Sequence, residues 1–275
     1  MPLESGAKKA DIPDIAERPL ALRHNGVKYM AIWNDPQPSQ TGFGASSRMN
    51  AGFATAAFDA GLRKYMLSIY NYMASGILLS GIVALLFVQS GLALQVFLTP
   101  LRWVVMLAPL GFVFAMSAGM GRMSSGKLQA CFWGFAVAMG LSMSSILLVY
   151  TGASVALSFF ATAGAFAGLS LVGYTTKKSL SGMGSFLTMG LFGLIIASLV
   201  TMFFPVPGMG FVISVLGVLI FAGLTAYDTQ RLKETYAQVA GTPFVERVAI
   251  MGALSLYLDF INMFQFLLSF LGDRR

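Results

Sequence analysis

The stretch GFVISVLGVLIFAGLTAYDTQRLKETY, Gly210 to Tyr236, carries no charge until Asp228 and turns polar directly after it. An apolar run of about 20 residues is what a helix needs to cross the hydrocarbon core of a bilayer. A second run contains LYLDFIN, Leu256 to Asn262, and holds another carboxylate, Asp259. The chain has 11 acidic residues in all. The others lie in the tails, in the polar segment before the first long apolar run, or in one polar loop.

The whole composition agrees with a membrane reading. The 275 residues are 56% hydrophobic and 11% charged, where a soluble domain has about 25% charged residues. Too few polar side chains remain to cover a water-facing surface. The net charge of +7 does not indicate nucleic acid, because the basic residues sit between apolar runs, as in a polytopic membrane protein. Cys131 is the only cysteine, so no intrachain disulfide and no cysteine zinc site is expected. His24, the only histidine, reads as a solvated residue of the N-terminal tail.

Absence of charge delimits the spans. One fits at about Tyr65 to Val88, followed by QSGLALQVFLTP as a loop in the interface. One fits between Arg102 and Arg122. Two fit between Lys127 and Lys177, with VYTGAS (Val149 to Ser154) as their turn. Two more fit between Lys178 and Asp228, broken at FFPVPG (Phe203 to Gly208), where proline and glycine stop one helix and start the next. The last runs from about Val248 to Leu271, which makes an all-α protein of seven transmembrane helices.

Arg63, Lys64, Arg122, Lys127, Lys177, Lys178, Arg231, Lys233 and Arg247 all fall on one side. The positive-inside rule makes that side, and the N-terminus, cytoplasmic. Arg274 and Arg275 then lie outside, against the rule; a re-entrant last segment would bring them back. The length of the final run favours a full span. Residues 1–62 read as a polar, partly disordered cytoplasmic tail with five of the ten prolines. Within it FATAAFDAGLRKYM forms a short surface helix leading into the first span. Residues 63–275 form the transmembrane domain. No cleavable signal peptide is expected, and the first span serves as the targeting signal.

An aspartate in a membrane span costs about 2.5–3.5 kcal/mol at the helix centre, so Asp228 and Asp259 need an explanation. The sixth span runs inward and the seventh outward, so the two meet at similar depth. Two close carboxylates in low dielectric cannot both ionise cheaply. They share a proton and titrate as a pair, which gives a pH sensor. Fully ionised, they offer oxygen ligands to Ca²⁺. Arg122, at the cytoplasmic end of the second span, is the best candidate cation, with a fork that reaches a carboxylate bidentately. The competing readings are a helix-end position for Asp228, a structural hydrogen bond for Asp259, and the ordinary positive-inside role for Arg122. Tyr257 and Asn262 flank Asp259 and either join its cavity or bond across helices. Gly164 and Gly168 form a packing motif common in membrane helices. No phosphate loop, HExxH or serine elbow is present.

The residues RKYMLSIYNYMASG, GYTTKKSLSGMGSFL (Gly173 to Leu187), AYDTQRLK (Ala226 to Lys233) and SLYLDFINMFQFLL (Ser255 to Leu268) resemble the Bax inhibitor-1 family, in a bacterial version. The resemblance covers about Arg63 to the C-terminus. It implies a last helix that is central and wrapped by the other six, in a bacterial inner membrane. It implies a pH-sensitive calcium leak, with the di-aspartyl sensor at Asp228 and Asp259 and its latch at Arg122. The acidic residue that a bacterial homologue carries in the second helix has no counterpart between Arg102 and Arg122. Some bacterial relatives bind the membrane-bound AAA protease FtsH, so a regulator without transport is the alternative. An intramembrane aspartyl protease would share Tyr227-Asp228. It needs G-x-G-D on the seventh helix, however, where this chain has Leu256-Tyr257-Leu258-Asp259, so no enzyme is expected.

Overall fold

A computed structural model describes residues 43–275, with side chains from residue 56 onward. The compact unit that holds the spans is Met49–Arg275. Most of the N-terminal tail, residues 1–42, lies outside the described residues.

Among the described residues, seven helices are long and apolar enough to cross a membrane. In chain order the helices are α1 (Phe43–Gln89), α2 (Leu92–Leu98), α3 (Leu101–Gly119), α4 (Ser125–Val149), α5 (Gly152–Thr175), α6 (Ser181–Phe203), α7 (Met209–Val239) and α8 (Val245–Leu271). The class is all-α; the described residues contain no strand, only an isolated bridge between Tyr150 and Arg274. All but α2 are the expected spans, and each break falls where charge or turn residues placed it. At FFPVPG the chain reverses through Gly208, whose φ of 80° suits a residue without a side chain.

Two boundaries differ. The surface helix expected at FATAAFDAGLRKYM is continuous with the first span, because nothing from Phe43 to Gln89 breaks the helix. QSGLALQVFLTP is partly helical: α2 is a short apolar helix of 7 residues set off by Gly91 and Pro100.

Alternating spans put the turns between α3 and α4, α5 and α6, and α7 and α8 at one end. That end carries Arg122, Lys127, Lys177, Lys178, Arg231, Lys233 and Arg247 and is called the basic end here. The last helix runs unbroken from one end of the bundle to the other. Its 27 residues rise about 40 Å, and the segment after it docks at the far end. There Thr151 N–H donates to Asp273 O (3.1 Å) and Arg275 N–H to Val149 O (2.9 Å). Asp273 N–H donates to Ser154 Oγ (3.0 Å). Arg274 and Arg275 therefore sit at the α4–α5 turn, opposite the basic end, and a re-entrant α8 is ruled out in this fold.

Half of the apolar window of α8 is buried, more than in any other described span. It packs on α7, α5 and α4. It also meets α1, where Tyr257 bonds Ser80 and Gly252 faces Ile69. α6 packs on α7. The core accordingly centres on Ile250, Ala253, Leu256, Tyr257 and Met263, all fully buried on α8.

Candidate functional site

The segment AYDTQ is helical because RLKETY continues α7 past Asp228 to Val239. That extension is held by burial. Leu232 and Tyr236 are buried, Leu232 against Gly252 of α8 and Tyr236 against Tyr65 of α1 at 5.1 Å between ring centres. Asp228 is therefore a position inside a helix, not its last residue.

Each residue of AYDTQ has a separate contact. The Ala226 carbonyl lies against Gly173 of α5 so closely that a Cβ at 173 would collide with it. Tyr227 covers Gly184 of α6. Thr229 Oγ1 lies 3.0 Å from Ser170 Oγ of α5, which is in turn 2.5 Å from Tyr70 Oη of α1. Gln230 clamps the α5–α6 loop: its Nε2 donates to Lys178 O (2.8 Å) and its Oε1 accepts from Leu180 N–H (2.7 Å). These bonds fix α7 at the level of Asp228, whose side chain alone in the segment turns toward α8.

At 1.5 Å per residue, Asp228 lies about 16 Å from the end of α7 and Asp259 about 21 Å from the start of α8. The two helices run antiparallel, and Ser255, which bonds Asp228, lies one turn before Asp259 on the same face of α8, so the two carboxylates stand at neighbouring levels. Their surroundings differ. Asp228 is half-buried and lines a cleft of about 380 Å³ with Ser117, Met120, Arg231, Thr235 and Ser255. It accepts a hydrogen bond from Ser255 Oγ at 2.5 Å. Asp259 is 6% exposed, and its Oδ2 is buried without a hydrogen-bond partner. A buried carboxylate oxygen left unpaired is costly, and a neighbouring carboxylate raises that cost.

The remaining expected residues are placed differently. Arg122 is exposed in the α3–α4 turn, two positions beyond the cleft-lining Met120 and outside the lining. The cation that lines the cleft beside Asp228 is Arg231. The reason is helical spacing: Arg231 follows Asp228 by three positions and shares its face. Tyr257 is about 200° around α8 from Asp259 and leaves the pair entirely. Its ring packs edge-on to Phe135 at 4.9 Å, and its hydroxyl lies 2.7 Å from Ser80 Oγ. Ser80 has one proton and two carbonyls in reach, Ala136 O at 2.6 Å and Gly76 O at 2.9 Å, so Tyr257 is the donor to Ser80. Asn262 Nδ2 donates to Leu258 O of its own helix (2.8 Å) rather than to Asp259. A Cβ added at Gly164 or Gly168 would meet nothing within 4 Å, so no described helix packs on that motif.

Ser255 and Arg231 were absent from the sequence expectation. Ser255 precedes Asp259 by four positions, and Arg231 follows Asp228 by three, so helical spacing was the available signal for each. Among the described residues no three His, Cys, Asp or Glu side chains gather as a metal site. The pair offers two carboxylates and a hydroxyl, a donor set thinner than the 6–8 oxygens that hold Ca²⁺ firmly.

A family model described as inhibitor of apoptosis-promoting Bax1 matches residues 62–275. An uncharacterized protein of Caulobacter vibrioides is 49% identical over 244 residues, covering 84% of this chain and 97% of its own length. An uncharacterized protein of Rickettsia prowazekii is 43% identical over 219 residues, 79% of this chain and 93% of its own. The inner membrane protein YbhL of Escherichia coli K12 is 40% identical over 220 residues, 78% of this chain and 94% of its own.

Proposed function

The chain belongs to the Bax inhibitor-1 family, and from that premise we propose that it is a calcium leak of the bacterial inner membrane gated by Asp228 and Asp259, with the basic end cytoplasmic. The observation that carries this reading is the asymmetry of the pair. Asp228 opens on a cleft at the basic end, while Asp259 sits behind it with an oxygen that no described residue satisfies. A protonated pair shares its proton, lowers its repulsion and keeps α7 against α8. A doubly ionised pair repels across the same interface and attracts a cation. Flux therefore rises with pH. Arg231 at the cleft mouth stabilises an ionised Asp228, and Arg122 acts at most from the cleft rim. Ca²⁺ is cargo in transit, since so thin a donor set favours release as well as entry.

The test is calcium flux into liposomes bearing the purified protein, from about pH 6 to pH 8, a window that a coupled carboxylate pair reaches. Wild type should conduct more at the alkaline end, and Asp228→Asn or Asp259→Asn should flatten the profile. A wild type without flux, or variants that keep its pH profile, removes the channel reading. The family's alternative, a regulator that binds the AAA protease FtsH without transport, then takes its place.

A further inference from the structure

We propose that the groove between α1 and α5 is a binding site for one anionic phospholipid of the leaflet at the basic end, with its phosphate on Arg63. α1 and α5 flank a cleft of about 520 Å³, bridged at its inner edge by Tyr70 and Ser170. Its floor includes Met66, Met73 and Phe166, and its head holds Arg63 and Tyr174. The cleft continues toward the far end into a second of about 510 Å³, through the shared residues Met73, Ala74 and Phe166. The lining of that second cleft is apolar throughout. Leu67, Leu78, Ile82 and Leu171 along the walls are each about half exposed or more, so the groove opens sideways toward the surrounding lipid.

A groove of this shape takes an acyl chain, but the chain alone confers no preference, since lipid tails are as apolar as the leucines they would touch. Selectivity must come from the head of the groove. Arg63 is exposed there and also lines a cleft on the other flank of α1, together with Lys64, Ser68 and Asn71. A phosphate at the groove head thus meets the Arg63 guanidinium, which matches it bidentately, while Lys64, Ser68 and Asn71 stay on the other flank of α1. The nearest acid on α1, Asp59, lies one turn further out and does not line the groove. At the groove head Lys233 Nζ is engaged with Tyr174, donating to its carbonyl at 3.0 Å. That bond fixes the Tyr174 wall and adds positive charge beside it. A zwitterionic lipid gains the phosphate contact but brings its own cation against Arg63, which cancels most of the gain.

Native mass spectrometry of the full-length protein, titrated with palmitoyl-oleoyl phosphatidylglycerol or with phosphatidylcholine of the same chains, tests this. The expected result is one phosphatidylglycerol bound at least about fivefold more tightly than phosphatidylcholine, the factor expected for one basic residue at a charged lipid surface. Arg63→Gln should bring the ratio near one. Lys127→Gln, which removes an exposed charge from the same end away from the groove, should leave it unchanged. Ala167→Trp fills the groove from an exposed, lipid-facing position and should remove the tight binding of phosphatidylglycerol without unfolding the bundle. Equal binding of the two lipids, a ratio kept in Arg63→Gln, a loss as large in Lys127→Gln, or a dimer mass in place of bound lipid would each overturn the proposal.

Discussion

Two polar side chains stand two residues apart on α8 and live in opposite worlds. Tyr257 is fully buried, its hydroxyl bonded to Ser80 and its ring set among Phe132 and Phe135. Asp259 is buried almost as deeply, yet one oxygen has no partner among the described residues, and Asp228 of the packed helix α7 lies one turn away at Ser255. The first face of α8 is satisfied and therefore rigid; the second holds an unmet demand that a proton, a cation or a movement can meet. A single helix thus carries both a satisfied polar contact and an unsatisfied one.

The comparison breaks most visibly on the anchored side. Tyr257→Ala empties a site between α1, α4 and α8 and should cost about 3–5 kcal/mol, the range for deleting a buried aromatic ring. Thermal unfolding in detergent should show the loss, and a small shift would mean that the anchor lies elsewhere. Gly173→Ala pushes a methyl into the Ala226 carbonyl. It should cost about 1–3 kcal/mol as overpacking, together with a disturbed Asp228, read as lower melting temperature and altered flux. Tyr257→Phe keeps the ring but withdraws the donor to Ser80, so about 1 kcal/mol is expected. Asp259→Asn sits at the small end. It removes a buried charge facing Asp228, so stability at about pH 8 should stay level or rise slightly. A loss as large as that of Tyr257→Ala would make Asp259 a structural residue and dissolve the contrast.

Much of this was legible in the sequence, for identifiable reasons. Charge is expensive in hydrocarbon, so its absence marked all seven spans, and FFPVPG and VYTGAS marked turns because their residues disfavour helix continuation. The same expense singled out Asp228 and Asp259. Partners across helices were less legible. Arg122 lies near the cleft in sequence order of the turn, but Arg231 is carried to Asp228 by the helix itself. Tyr257 adjoins Asp259 in the chain and is turned away by the helical repeat. Ser255 was within reach of an (i, i+4) argument. Ser80, at the far end of a 177-residue separation from Tyr257, had no local signal. The α1–α5 groove is a space between helices, which no residue pattern announces.

The central claim is that Asp228 and Asp259 act as one titrating unit, and a double-mutant cycle tests it most directly. Calcium flux would be measured across about pH 6 to pH 8 for wild type, Asp228→Asn, Asp259→Asn and the double variant. Coupling predicts that each single change removes the pH dependence and that the double change adds little more. Two single variants that each keep part of the pH response, with losses that add in the double variant, would show two independent groups and contradict the account.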